Sequence, residues 1–296
     1  MVEKGSGKAT TIGLIAIGLW ASLALFTVEA KGIPPFELLA LSFGVAFLSG
    51  MIVLASQGFH ALRRLRQPVA PWFLAFFAIF LYHALYFYSL STVPPARASL
   101  IAYLWPLLIV ILSTFGPNGD RLRWQHLAGG ALGFIGTAVI LLDHQGERSQ
   151  ATSVLGYIAA FGCALIWSAY SVANRRFANI SSDMLVGVCG MVAIAGAGVH
   201  FLLEETVWPT QPQWQAVLLL GVGPVGHAFL AWDYATKHGN MPLLGGLSYL
   251  APLISTSILI ANGQTSSNIT VALSAVLTVG GSLLASLRRK KKDNAQ

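Results

Sequence analysis

Aromatic and polar side chains recur deep inside the long apolar stretches of this chain. Tyr82 and Tyr86 are four residues apart, so a helix places them on one face, with His83 beside them. Rings of Tyr and Trp stack on flat apolar groups and attract ammonium ions, while their polar tips need partners or water. These properties predict a partly wet cavity that binds small molecules. Its expected lining residues are Trp20, Tyr82, His83, Tyr86, Tyr103, Trp105, Trp167, Tyr170, Asn174 and Tyr249.

Two other interpretations compete with a binding cavity. Aromatic residues near the ends of membrane helices commonly form an interfacial belt, but most of these residues lie too deep for that. Ordinary packing between helices stays open for any one of them. His83 and His227, the deepest titratable groups, could each take up a proton or simply make one satisfied hydrogen bond.

Patterns typical of enzymes occur without their usual context. The segment from Gly221 to Gly226 matches the dinucleotide-binding fingerprint, but it lies in an apolar stretch with Pro224 in its middle, where no preceding strand or water is available. The acidic residues lie in loops, tails or span ends, and no two histidines have metal-ligand spacing. We expect no catalysis, no cofactor and no metal.

Charged groups that could pair with a substrate are not expected inside the spans either. Lys237 is assigned to an inner loop, and Asp233 to a position about one turn from an inner helix end. A zwitterionic substrate would then be held by neutral polar groups alone, although burying an unpaired charge is costly. The sequence therefore predicts weak and broad recognition.

The elements that position these residues are membrane helices. Only 10% of the residues are charged, 55% are hydrophobic and the mean hydropathy is +0.67, whereas about a quarter of the residues of soluble domains are charged. A helix needs about 20 apolar residues to cross the hydrocarbon. The pattern predicts an all-α membrane protein with about ten spans, at residues 10–28, 37–56, 70–92, 95–115, 124–142, 154–174, 184–203, 213–236, 241–261 and 269–287.

The positions of Lys and Arg predict the orientation. With the N-terminus inside, the inner segments hold 15 of the 18 basic residues, as the positive-inside rule requires. The outer segments hold only Lys31, Arg97 and Arg148, and a basic tail follows residue 287. Both termini are therefore predicted to be cytoplasmic, and the net charge of +7 does not indicate nucleic-acid binding.

The chain contains an internal repeat. The predicted domains are two five-helix repeats, residues 1–148 and 149–296, and an odd number of spans in each inverts the second relative to the first. Proline inside a span removes a backbone donor, so Pro106, Pro224 and Pro252 are either hinges or gates, or only kinks. The matching positions of the repeat are His83-Ala84, Tyr103-Leu104 and Pro106 in the first half, and His227-Ala228, Tyr249-Leu250 and Pro252 in the second.

Several of these segments carry a resemblance to a known family. The chain resembles the drug/metabolite transporter superfamily in its EamA-type, ten-span branch, and within that branch the aromatic amino acid exporters. The resemblance covers nearly the whole chain and implies inverted five-helix repeats around a central cavity, with export across a bacterial inner membrane. It is carried by Ala9 to Ile17 with Trp20, by Tyr103-Leu-Trp-Pro106, by Ile166-Trp-Ser-Ala-Tyr170, and by His238-Gly-Asn240 with Ser248-Tyr249 and Pro252.

The resemblance and the residues together predict a function. We expect a secondary transporter that exports aromatic and other neutral amino acids by alternating access. The alternative is a multidrug or metabolite exporter of the same superfamily with a different cargo. The expected partners are the amino acid substrate and the lipid bilayer, with no nucleic acid and with a monomer as the working assumption. Energy coupling and the resting conformation stay open.

Overall fold

The computed structural model describes residues 3–115, 123–143, 153–263 and 269–286, and within these ranges the regular elements are helical. Helices satisfy their backbone hydrogen bonds internally, as hydrocarbon requires. The first half contains α1 (Glu3–Ala21), α2 (Leu23–Glu29), α3 (Pro35–Ser56), α4 (Val69–Thr92), α5 (Pro95–Ala102), α6 (Trp105–Leu112) and α7 (Trp124–Asp143). The second half contains α8 (Val154–Ala173), α9 (Met184–Leu203), α10 (Gln211–Leu220), α11 (Ala228–His238), α12 (Met241–Ser248), α13 (Leu250–Ala261) and α14 (Ile269–Ser286).

Eight stretches of the described residues are long and apolar enough to cross a membrane. The other two predicted spans, the fifth and the tenth, form α7 and α14. The apolar part of α14, Ile269–Leu284, is shorter than these eight stretches. A chain with many membrane-spanning helices is thus confirmed, and the count of ten stays a prediction. The eight stretches are Gly7–Glu29, Pro35–Ser56, Val69–Thr92, Arg97–Phe115, Val154–Phe177, Met184–Leu203, Gln211–His238 and Met241–Ala261.

Some of the positions behind the predicted orientation and domains lie outside the described residues. These are Arg121, Arg148, the basic tail 288–292 and the boundary between residues 148 and 149.

Two spans are interrupted at matching places in the two halves. The fourth span divides into α5 and α6 at Tyr103, shortly before Pro106. The ninth divides into α12 and α13 at Tyr249, shortly before Pro252. Proline cannot donate the hydrogen bond of a helix interior and its ring crowds the preceding turn, so the break falls just before each proline. The expected interruptions are present, and their use as hinges stays a prediction.

The eighth span is distorted in a different way. Around Pro224 its backbone widens into a π-helical segment, Gly221–His227, between α10 and α11. Such widened turns expose carbonyl groups and are frequent at functional sites. The dinucleotide-like glycines therefore belong to a distorted membrane helix.

The core lies where α1, α3, α4, α6, α8 and α11 meet, and α9, α12 and α13 add buried residues to it. Large apolar side chains cover the outer surface, as Phe73, Phe77 and Leu81 do on one face of α4. The terminal helices of the two halves, α7 and α14, pack very closely: Ser274 Oγ donates to Gly136 O at 2.6 Å. Small residues permit such approach between membrane helices. This scaffold holds the central helices together.

Candidate functional site

A cluster of aromatic rings occupies the centre of the core. It consists of side chains from six helices that contact one another edge to face, tilted or stacked. Edge-to-face and offset-stacked arrangements are those that aromatic pairs prefer. Trp20 lies at its middle, with ring centroids 5.7 Å from Trp167, 5.9 Å from Phe229 and 5.2 Å from Trp232. We call this set the aromatic cluster; its members are Trp20, Phe43, Tyr82, His83, Tyr86, Phe87, Trp105, Trp167, Tyr170, Phe229 and Trp232.

Local sequence explains how Trp20 and Trp167 come together. Trp20 is near the end of α1, and its indole N–H donates to the carbonyl of Pro224 at 3.1 Å, a group that the π-helical segment presents. Trp167 and Tyr170 are three residues apart on α8, which puts both rings on one face, 5.3 Å apart. The distorted span therefore positions the first tryptophan, and plain helical periodicity positions the other two rings.

α4 contributes Tyr82, His83 and Tyr86 to the cluster. The rings of Tyr82 and Tyr86 stack at 5.9 Å, and Tyr82 also faces Trp167 at 5.9 Å. The Tyr86 hydroxyl hydrogen-bonds the hydroxyl of Ser99 at 2.8 Å. His83 Nδ1 donates to the carbonyl of Ile79 at 2.7 Å, because a carbonyl can only accept. In its neutral form His83 therefore keeps Nε2 as an acceptor.

The inward face of α4 changes along its length. Ala75, Ile79, Tyr82 and Tyr86 follow helical spacing on one face. Ala75 and Ile79 are fully buried, whereas Tyr82 and Tyr86 are half-buried. Because both tyrosines contact other members of the aromatic cluster, we assign part of their exposed area to space inside the bundle. Tyr103, at the break between α5 and α6, is half-buried as well.

At its opposite end the aromatic cluster meets a buried ion pair that the sequence analysis missed. Lys237 Nζ lies 2.7 Å from Asp233 Oδ2, and both side chains are 0% exposed. The ammonium also donates to the carbonyl of Ile180 at 3.0 Å. Asp233 Oδ2 accepts no hydrogen bond of good geometry from the described residues, so its partner is the ammonium charge itself. The expectation that no counter-charge is buried was wrong.

Neutral side chains complete this polar network. Asn174 Nδ2 donates to Asp233 Oδ1 at 2.8 Å and to Thr236 Oγ1 at 3.0 Å, and the Tyr170 hydroxyl donates to Asp233 Oδ1 at 3.3 Å. Each buried ion loses several kcal/mol of hydration, which good geometry and extra hydrogen bonds must offset. The i,i+4 spacing of Asp233 and Lys237 was the available signal, because it puts both on one face of α11. Assigning Lys237 to a loop concealed it.

The predicted site residue Tyr249 and the titratable residue His227 lie apart from the aromatic cluster. Tyr249 is fully buried at the junction of α12 and α13, where its ring faces Phe134 of α7 at 6.5 Å. His227 is exposed on the π-helical segment and donates from Nδ1 to Val222 O at 2.6 Å. The repeat partners His83 and His227 thus have different surroundings, and the predicted substrate role of Tyr249 gains no support from its contacts.

A second polar group lies at the ends of α3 and α9. The Glu204 carboxylate accepts from the backbone N–H groups of Phe36 and Glu37 at 3.0–3.1 Å, and from His200 Nδ1 at 2.9 Å. A cavity of about 230 Å³ adjoins Glu37 and His200, but Phe201 and Trp208, which also line it, are mostly exposed. Those exposed side chains place the cavity at the rim of the bundle, and we do not assign it to the aromatic cluster.

Metal ions have no evident place among the described residues, since no group of three or more His, Cys, Asp or Glu side chains is arranged to hold one. Cys163 and Cys189 are buried free thiols. The site therefore offers ring faces, hydroxyls and one ion pair as its binding groups.

Comparisons with known proteins agree with this architecture. The chain matches the model of the EamA-like transporter family over residues 8–142 and 154–287. It is 44% identical over 285 residues to the "Aromatic amino acid exporter YddG" of Ancylobacter novellus, covering 96% of this chain and 99% of the relative. The protein of the same name from Escherichia coli K12 is 26% identical over 299 residues, covering 96% and 98%. A solved structure that is 44% identical superposes with a TM-score of 0.89, covering 95% of this chain and 96% of the other.

Proposed function

Because the chain belongs to the EamA-like transporter family, we propose that it exports aromatic and other neutral amino acids across the bacterial inner membrane by alternating access. The resemblance noted in the sequence is confirmed, and the relatives that match nearly the whole chain are named aromatic amino acid exporters. The single structural observation that carries the proposal is the aromatic cluster, in which α4 presents half-buried Tyr82, His83 and Tyr86 to the centre of the bundle.

The chemistry of the aromatic cluster suits this cargo. An aromatic amino acid has a flat apolar ring, which can stack on the faces of Tyr82, Tyr86 or Trp167. Its ammonium group is attracted to the negative faces of such rings. Hydroxyl groups and His83 Nε2 can hold the polar end. The same surfaces fit other neutral amino acids less tightly, so the proposal includes them.

We propose two inverted repeats of five spans each. The family model matches the chain twice, and the two matched regions correspond to the two domains proposed from the sequence, 1–148 and 149–296. The interruptions before Pro106 and Pro252 fall at matching points of the two regions. Broken helices at corresponding positions mark central sites and moving parts in transporters of this type. Pro106, Pro224 and Pro252 are accordingly proposed as hinges.

We further propose that the structure represents an outward-facing state. With both termini in the cytoplasm, as the positive-inside rule predicts, the ion pair of α11 lies at the cytoplasmic end of its span. There Asp233, Lys237 and Asn174 are at most 5% exposed. Tyr82 and Tyr86 lie toward the other end and are half-buried. The cytoplasmic side is then closed, which supports the outward-facing assignment.

Counterflow in proteoliposomes tests the proposal. Vesicles that contain the purified protein are preloaded with one unlabelled compound, either Phe, Trp, Thr or a cationic dye. They are then placed in a trace of the same compound in labelled form, with and without a pH gradient. We expect transient accumulation of the labelled amino acids, strongest for Phe and Trp. Accumulation of the dye without that of any amino acid would support a multidrug exporter instead, and a dependence on the pH gradient would identify proton coupling.

A further inference from the structure

Closing this end of the bundle does not require the buried ion pair of α11. Leu244, Ala235 and Met241 nearby are fully buried and show that apolar packing is available at this end. A buried ion pair contributes little net stability compared with apolar side chains of the same volume. The pair therefore calls for an explanation other than stability.

The ion pair is directly continuous with the aromatic cluster. Asp233 follows Trp232, whose ring lies 5.2 Å from that of Trp20 and 5.5 Å from that of Trp105. The Tyr170 hydroxyl donates to Asp233 Oδ1, and its ring lies 5.3 Å from Trp167. Charge and ring faces thus stand side by side, the arrangement that an aromatic amino acid needs if its zwitterionic end and its ring are held together.

We infer that Asp233 and Lys237 bind the zwitterionic end of the substrate when the cytoplasmic side opens, Asp233 taking the α-ammonium and Lys237 the α-carboxylate. The inference rests on the proposed function. In the closed state the two side chains satisfy each other. When the substrate enters, one internal ion pair is exchanged for two pairs with the substrate, and the net charge of the site stays zero, so no uncompensated charge is buried at any stage.

Both side chains are held in place independently of each other. Asp233 Oδ1 keeps its hydrogen bonds from Asn174 and Tyr170, while Oδ2 has only the ammonium as a close partner among the described residues. Lys237 keeps the carbonyl of Ile180. If the pair separates, Oδ2 is the atom that becomes open to a new ammonium group. The pair would thus select substrates that carry both charges.

Competition against labelled Phe counterflow tests this inference. The competitors are Phe, phenylalaninamide, which lacks the carboxylate, and N-acetylphenylalanine, which lacks the ammonium. In the wild-type protein we expect both analogues to compete at least about tenfold more weakly than Phe, since charge-paired contacts of this kind are worth such factors. Equal competition by all three compounds would overturn the inference without any variant.

The variant Asp233→Asn with Lys237→Met removes both charges and leaves neither unpaired. We expect its KM for Phe to rise about tenfold or more and its preference for Phe over both analogues to disappear. Lys237→Met alone should raise the relative affinity for the amide, and Asp233→Asn alone that for the N-acetyl compound. A doubly neutral protein that keeps the wild-type ranking would show that the pair only closes the bundle.

The matched control is the ion pair of Arg64 and Asp183, which are 3.2 Å apart and partly exposed, with 44% and 27% of the side chains accessible. Arg64→Gln with Asp183→Asn should leave the ranking of the competitors unchanged. The two proposals fail in different ways. Absence of Phe counterflow by the wild-type protein would contradict the proposed function, whereas normal counterflow with an unchanged ranking in the neutral pair contradicts the present inference alone.

Discussion

The aromatic cluster has two unlike ends. Toward the end of α4, Tyr82, His83 and Tyr86 are half-buried, and the Tyr86 to Ser99 hydrogen bond of 2.8 Å joins α4 to α5. At the other end Asp233 and Lys237 form a fully buried ion pair within α11. Three hydrogen bonds of these two side chains join α11 to Tyr170, Asn174 and Ile180. One end is lined by half-buried rings with one hydroxyl pair, and the other is closed around two charged groups.

The contrast indicates which end of the aromatic cluster costs more free energy to open. Rings that separate expose apolar area, and the free energy changes gradually with that area. Opening the charged end breaks the hydrogen bonds that Asp233 and Lys237 make with Tyr170, Asn174 and Ile180. The two ions must then gain water or new partners at once, because buried charged groups without partners are unstable. The charged end should therefore switch between a closed and an open state, whereas the packing of the aromatic end should change by degrees.

Lys237→Met gives the largest expected effect. It leaves the Asp233 carboxylate buried beside an apolar side chain, and breaking one partner of a buried pair costs about 3–5 kcal/mol. We expect a marked drop in the temperature of thermal unfolding in detergent. Asp233→Asn with Lys237→Met should recover most of this loss. If the single variant is as stable as the double one, the carboxylate is not buried as a charge, and the contrast between the two ends fails.

Trp167 lies between the two ends of the aromatic cluster, so Trp167→Ala affects both of them. The indole is 5% exposed and contacts Trp20, Tyr82 and Tyr170. Truncating a buried aromatic residue costs about 3 kcal/mol or more, because the cavity is only partly refilled. We expect lower thermal stability and loss of Phe counterflow, with Trp167→Phe recovering part of both. A variant that unfolds early but transports normally would make this ring a packing residue only.

Sequence reasoning found the aromatic end better than the charged end. Periodicity alone placed Tyr82 and Tyr86 on one face, because helical spacing is a local property. For Tyr249 the direction of the ring depends on how α12 and α13 pack against α7, and its substrate role stays a prediction. Local rules carry no information on such packing.

The charged end was missed because a hydropathy pattern treats Lys and Asp as signs of a helix end. Here α11 continues to His238 and buries both groups against Asn174 and Ile180. Partners from other helices made burial possible, and they are distant in sequence. The long-range carboxylate contact of Glu204 with α3 was invisible for the same reason.

Tyr82→Ala separates binding from stability at the aromatic end. The side chain is half-buried, so we expect little loss of thermal stability. Phe counterflow should fall by about tenfold, because an aromatic contact is worth about 0.5–1.5 kcal/mol beyond its buried area. Tyr88→Ala is the matched control, since Tyr88 is 43% exposed on the same helix and makes no ring contact of the aromatic cluster among the described residues. Equal losses in both variants would count against a binding role for Tyr82.

Tyr86→Phe has the smallest expected effect of these variants. It removes only the hydroxyl that bonds Ser99, and one neutral hydrogen bond contributes about 0.5–1.5 kcal/mol. That bond is present in the structure that we propose to be outward-facing, so its loss should destabilise this state slightly and change counterflow by no more than a few-fold. Ser99→Ala should have the same effect, and the double variant should add nothing further, because both changes break one bond. Additive losses would instead mean that each hydroxyl acts separately, for example on the polar end of the substrate.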